Sequence, residues 1–153
     1  MSLKRTGEIP TLANDKIMQT IVIDALYKLG LIGVKWAIQH HEFQNRTSNL
    51  EDSYGFAIYH NGGILGQPFL FDKNANKMVE VHGKKYSGYR EGKNFLLNFK
   101  PSTHNYTLVV TAGLIYASFV EEYYGLDVLQ GSYLEVRKQA DNVLKNLKWN
   151  KIQ

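Results

Sequence analysis

The stretch from Tyr106 to Leu147 constrains this chain most, because its hydrophobic period changes partway and it must hold two kinds of element. Tyr106–Thr111 (Tyr-Thr-Leu-Val-Val-Thr) is β-branched and aromatic, the composition of a half-buried strand. Ala112-Gly113 interrupts it. Beyond, Ile115/Phe119 and Tyr116/Val120 each stand four apart, the spacing of a helical turn that packs its aromatics. Gly125 and Gly131 punctuate the link, and a helix is predicted to open at Ser132. Ser132 and Glu135 have the spacing of a capping box, in which the serine oxygen accepts the N3 amide and the glutamate returns to the cap's own amide. Losing such a cap costs about 1 kcal/mol. Val136, Ala140, Val143 and Leu147 then form one apolar face, with Arg137, Lys138, Asp141 and Lys145 on the other.

The amino-terminal half repeats this division of labour. Residues 1–13, with Gly7 and Pro10, read as an extended arm. Asn14 is placed to cap a long helix whose apolar stripe runs Ile17, Ile21, Ala25, Leu29, Ile32 and Trp36, widened by Met18, Val22 and Leu26. Carried to Glu42 it would be about 43 Å long, and Gly30 and Gly33 predict a kink or a division within it. Its polar face (Asp15, Gln19, Asp24, Lys28) is too little basic for a membrane-surface helix. Tyr54, Phe56 and Ile58 alternate with Gly55, Ala57 and Tyr59 as a strand, Asn61-Gly62 supplies a tight hairpin turn, and Ile64-Leu65 begins the return. From Gly66 to Lys100 the pattern fades: Met78, Val79 and Val81 suggest a short strand and Phe95-Leu96-Leu97 another short element, broken up by Gly83, Gly88 and Gly92. A 35-residue connection without structure is rare in a compact domain, so this part holds either further strands or a projecting arm.

The expected architecture is a single α+β domain over residues 1–153. A long N-terminal helix and a C-terminal amphipathic helix pack on one face of a small antiparallel sheet, with residues 66–100 as a long central loop or arm. At 153 residues, 44% hydrophobic and 21% charged, the composition is that of an ordinary soluble domain. There is no cysteine, which excludes disulfides and thiolate metal sites. The start leads into no signal-type apolar core, and no unbroken run approaches the ~20 apolar residues of a membrane span.

The net charge of +4 is concentrated in one place. Residues 1–76 and 101–153 are each balanced, whereas residues 77–100 carry Lys77, Lys84, Lys85, Arg90, Lys93 and Lys100 against Glu80 and Glu91. Within that segment Lys84-Lys85-Tyr86-Ser87-Gly88-Tyr89-Arg90 interleaves cations with aromatics on a glycine-flexed loop. Lys84, Lys85, Tyr86, Tyr89, Arg90 and Lys93 are therefore the candidates for gripping phosphates and stacking bases, although the same residue types suit a protein contact.

No constellation of catalytic type emerges. His40 and His41 are adjacent and point about 100° apart on a helix, while His60, His82 and His104 stand singly, without metal-ligand spacing. The flanks of Ser132 lack the second glycine of a nucleophile elbow. Glu121 and Glu122 point apart in helix or strand, which defeats a paired-carboxylate site. The Gly62–Gly66 cluster has no Walker lysine and is a turn. Two sequons, at Asn45 and Asn105, mean little without an export signal.

Two blocks resemble a known family. Asn45-Arg46-Thr47-Ser48-Asn49-Leu50-Glu51-Asp52-Ser53-Tyr54-Gly55 is similar to the Arg-Thr-Gly-Asn-Leu…Ser segment that follows the first helix in tailed-phage head–tail joining proteins, the neck or tail-completion family, also found in prophages. Ser48 stands where that motif usually has glycine. Val109-Val110-Thr111-Ala112-Gly113-Leu114-Ile115-Tyr116-Ala117-Ser118-Phe119-Val120-Glu121 resembles the family's strand leading into Tyr-Ala…Val-Glu, and Asp127-Val128-Leu129 and the final helix continue it. The likeness covers residues 14–65 and 105–147 and leaves the middle uncovered. It implies a small α+β structural virion protein with no catalytic residues, cofactor or metal, forming a homo-oligomeric ring between portal and tail. Such a protein works in the host cytoplasm during assembly and then in the virion. Its contacts with itself and with portal and tail proteins would fall at Arg46, Thr47 and Asn49 and at Tyr116, Glu121, Tyr124 and Asp127, with passing DNA as a further partner of the basic segment. The other reading is a small basic nucleic-acid-binding protein that uses residues 84–93.

Overall fold

The computed structural model describes residues 12–40, 54–71, 78–81, 83–112 and 128–146. Helix α1 (Leu12–Gln39) is followed by strands β1 (Tyr54–His60), β2 (Gly63–Leu70), β3 (Val79–Val81) and β4 (Lys84–Tyr86). Helix α2 (Gly88–Asn98), strand β5 (Thr107–Ala112) and helix α3 (Val128–Lys145) complete the order. The fold is α+β, as expected. The main sheet is antiparallel in the order β2-β1-β5, and β3 and β4 form a separate two-stranded ribbon.

β1 is the centre of the molecule because it is apolar on both faces. Tyr54, Phe56 and Ile58 point one way, Ala57 and Tyr59 the other, and all five are buried. Tyr54 and Phe56 join Val34 and Ala37 of α1 in one core, with Leu108 and Val110 of β5 packed against it. Ala57 and Tyr59 form a second core with Leu96 of α2, flanked by Ile64, Phe99 and Val109. The sheet therefore lies between α1 and α3 on one side and α2 on the other. α1 and α3 share one face as expected, and α2 adds a second helical cover over the large Tyr59 ring and Ala57.

The β1–β2 turn forms as predicted. Asn61 (φ 52°) and Gly62 (φ 79°) both occupy the left-handed region, and His60 pairs directly with Gly63. Two consecutive positive φ values are what a two-residue hairpin needs to match the strand twist.

α1 is already helical at Leu12, so Asn14 lies inside it and is not its cap. It also runs unbroken through Gly30 and Gly33. These glycines make room for neighbours: a Cβ on Gly30 would lie 2.5 Å from the Phe56 ring, and one on Gly33 would meet Val136 at 2.9 Å and Ser132 Oγ at 3.1 Å. Close packing offsets the helix-propensity cost that predicted a kink. At about 42 Å the helix outruns the roughly 23 Å of β1. Burial accordingly runs from Ala25 through Leu29 and Val34 to Ala37, while Ile17 and Tyr27 remain exposed. By length and composition alone Lys16–Gln39 could cross a membrane, which the reading of unbroken apolar runs missed. Its buried residues pack on the sheet and on α3.

α3 begins at Val128, four residues ahead of the predicted start, so Ser132 is an interior residue and the capping box does not form. The Ser132 hydroxyl donates to the Gly33 carbonyl at 2.7 Å. Glu135 accepts from Gln139 Nε2 at 3.0 Å and does not turn back to Ser132. In the sequence Gly131 reads as punctuation. Its lack of a side chain makes space for the Trp36 indole, which a Cβ would overlap. The polar face of α3 is as predicted, with Arg137, Lys138, Asp141 and Lys145 exposed and Val136, Ala140 and Val143 half-buried. The predicted helical turn at 115–120 lies outside the described residues.

Candidate functional site

The basic segment is structured, which corrects its reading as a loop. Residues 66–100 contain the end of β2, the β3–β4 ribbon and α2, so of the two alternatives the strands are present, together with a helix that was not foreseen. The ribbon pairs Val79 with Tyr86, Glu80 with Lys85 and Val81 with Lys84. Ser87 then turns the chain into α2: its backbone is extended (φ −105°, ψ 121°) and its hydroxyl accepts from the Arg90 amide at 3.3 Å. This is an N-cap, and it is hard to see in the sequence because Ser-Gly reads equally as a turn and Arg90 stands where a capping box would have Glu or Gln.

α2 buries Gly88, Gly92 and Leu96, a four-residue repeat that sets one face against the sheet. The Tyr59 hydroxyl donates to the Leu96 carbonyl. That carbonyl belongs to the last turn of α2, where acceptors run out of helical amides, so β1 supplies the missing donor. Burial pushes the Tyr59 phenol up to about 12, because an ionised ring there would lose its hydration.

The opposite face of α2 presents Arg90, Asn94 and Leu97 to solvent, with Lys93 beside them. Lys84 and Lys85 on the ribbon are exposed as well, and Lys100 follows the helix, also exposed. Phe95 is exposed on α2, whereas the two tyrosines of the segment are committed elsewhere. Tyr86 packs against the core of Val34, Ala37, Tyr54 and Phe56, and Tyr89 is half-buried with Lys93 Nζ 5.7 Å from its ring centroid. Of the six expected nucleic-acid contacts, Lys84, Lys85 and Arg90 are exposed, Lys93 is half-buried, and the two rings are poorly placed for stacking.

Arg46, Thr47, Asn49, Tyr116, Glu121, Tyr124 and Asp127, the expected subunit and partner contacts, lie outside the described residues. Among the described residues no three His, Asp or Glu side chains gather as metal ligands. His40 stacks on Trp36 with ring centroids 4.1 Å apart, and its Nδ1 lies 2.9 Å from the Trp36 carbonyl. His60 stacks flat on Tyr106 at 3.9 Å, and its buried Nδ1 has no hydrogen-bond partner among the described residues. Trp36 and His40 stand four apart on α1, a spacing that makes them neighbours on a helix, whereas no spacing in the sequence links His60 to Tyr106.

The chain matches no family model, no curated protein and no solved structure.

Proposed function

We propose that this chain is a structural virion protein of a tailed phage or prophage, assembling as a homo-oligomeric ring at the head–tail junction and acting without catalysis. The observation that carries this reading is the contrast between the faces and the edges of the sheet. Among the described residues helices cover both faces, and β2 and β5 are the outermost strands. The two edges differ in character. β2 includes Gly66 and Pro68 and shifts register against β1 between Phe56 and Ile58, features that blunt an edge. β5 (Thr-Leu-Val-Val-Thr-Ala) is regular, uncharged and free of proline. A ring closes through heterologous contacts, which need two unlike patches on each subunit.

The order of elements supports the same reading: long helix, hairpin, strand and terminal helix follow the order of the phage neck proteins that the Arg46–Asn49 and Val109–Glu121 blocks resemble. Portal and tail proteins are then the partners, and the host cytoplasm followed by the virion is the setting.

Electron micrographs of the purified chain test this. Closed annuli of uniform diameter are expected; single compact particles or open filaments would overturn the reading.

A further inference from the structure

We propose that the outward face of α2 and the β3–β4 ribbon bind the phosphate backbone of duplex DNA without reading its bases. The inference stands on charge and geometry and does not rest on ring assembly. Residues 78–100 carry Lys84, Lys85, Arg90, Lys93 and Lys100 against Glu80 and Glu91. Both carboxylates are spoken for. Glu80 sits directly across the ribbon from Lys85, and Glu91 lies in the first turn of α2, where its charge meets the positive end of the helix. Lys84, Arg90 and Lys100 are left exposed, with Lys93 half-buried beside Tyr89.

The burial of Gly88, Gly92 and Leu96 turns Arg90 to the far side of α2 and leaves Lys93 half-buried on its flank, and Ser87 alone separates the helix from the ribbon that carries the exposed Lys84 and Lys85. The helix is about 16 Å long, and duplex DNA presents one negative charge per roughly 1.7 Å of its axis. A surface of this length meets several phosphates at once.

The fate of the aromatics decides between duplex and single strand. Single-strand binders stack bases on exposed rings. Here Tyr86 is part of the core and Tyr89 is half-buried beneath Lys93. Phe95 is exposed but packs against Phe99 and stands about 140° from Arg90 around the helix, so the face around Arg90 presents charge with Asn94 and Leu97 and no ring, and its target is a dense line of phosphates.

The test is fluorescence anisotropy of a labelled duplex with the full chain across a salt series. Four neutralised phosphates give a log–log slope near −3.6, about a hundredfold loss of affinity between 50 and 200 mM salt. Lys84→Gln and Arg90→Gln should each reduce that slope by about one unit, equally on unrelated sequences, without moving the melting curve, since both side chains are exposed. Lys138→Gln on α3 should leave it unchanged. Absence of salt-sensitive binding, tighter binding of a single strand of the same length, or equal weakening by Lys138→Gln would each overturn the proposal.

Discussion

Ser132 donates its buried hydroxyl to the carbonyl of Gly33, 2.7 Å away and 99 residues earlier in the chain. The bond is part of a seam in which two helices approach as closely as glycine permits. Gly33 faces Ser132 and Val136, and Gly131 faces Trp36. Gly33 near Ser132 and Trp36 near Gly131 mean that α1 and α3 run antiparallel. Removing the hydroxyl in Ser132→Ala should cost about 1 kcal/mol, whereas Gly131→Ala forces a methyl group into the indole and should cost about 1–3 kcal/mol or more. Urea denaturation separates the two.

A double-mutant cycle gives the seam a sharper test. Trp36→Leu removes the ring that a residue-131 methyl would meet. Gly131→Ala in that background should therefore cost much less than it does alone, with a coupling of about 1 kcal/mol or more. Simple additivity would mean that Trp36 does not fill the space beside Gly131.

The Tyr59 hydroxyl ties β1 to the end of α2, and Tyr59→Phe should cost about 1 kcal/mol by leaving the Leu96 carbonyl without that donor. The pH dependence has a definite sign. The phenol ionises near 10 when unfolded and near 12 when folded, so the fold favours its protonated form. The contribution is complete below pH 10 and is lost as pH rises from 10 to 12. Denaturation midpoints followed over that window should fall for the native chain and fall less for Tyr59→Phe.

Ser87 is the cap that starts α2. Ser87→Ala should destabilise the protein by about 1 kcal/mol and Ser87→Gly by only a few tenths, the ordering peculiar to an N-cap. Equal losses for the two, read from thermal melts, would assign the serine a packing role.

Much of this architecture is written locally. The β-branched and aromatic run at 106–111, the Asn61-Gly62 turn and the polar face of α3 each follow from a few neighbouring residues. The errors arose where a residue serves a distant partner. Gly30, Gly33 and Gly131 look like helix breakers until Phe56, Ser132 and Trp36 are set beside them. Ser132 looks like a cap until its acceptor on α1 is known. α2 escaped notice because Gly88 and Gly92, which lower its helix propensity, are the residues that let it lie against the sheet. The basic surface was legible as composition. Which of its members remain outward was not, because Tyr86 is withdrawn into a core assembled from α1 and β1.

Mass in solution by light scattering, at low and high salt and over a range of concentrations, tests the central claim most directly. A ring former gives one discrete higher multiple of the 17.5 kDa chain, unchanged by salt. A mass equal to one chain under every condition would contradict the account.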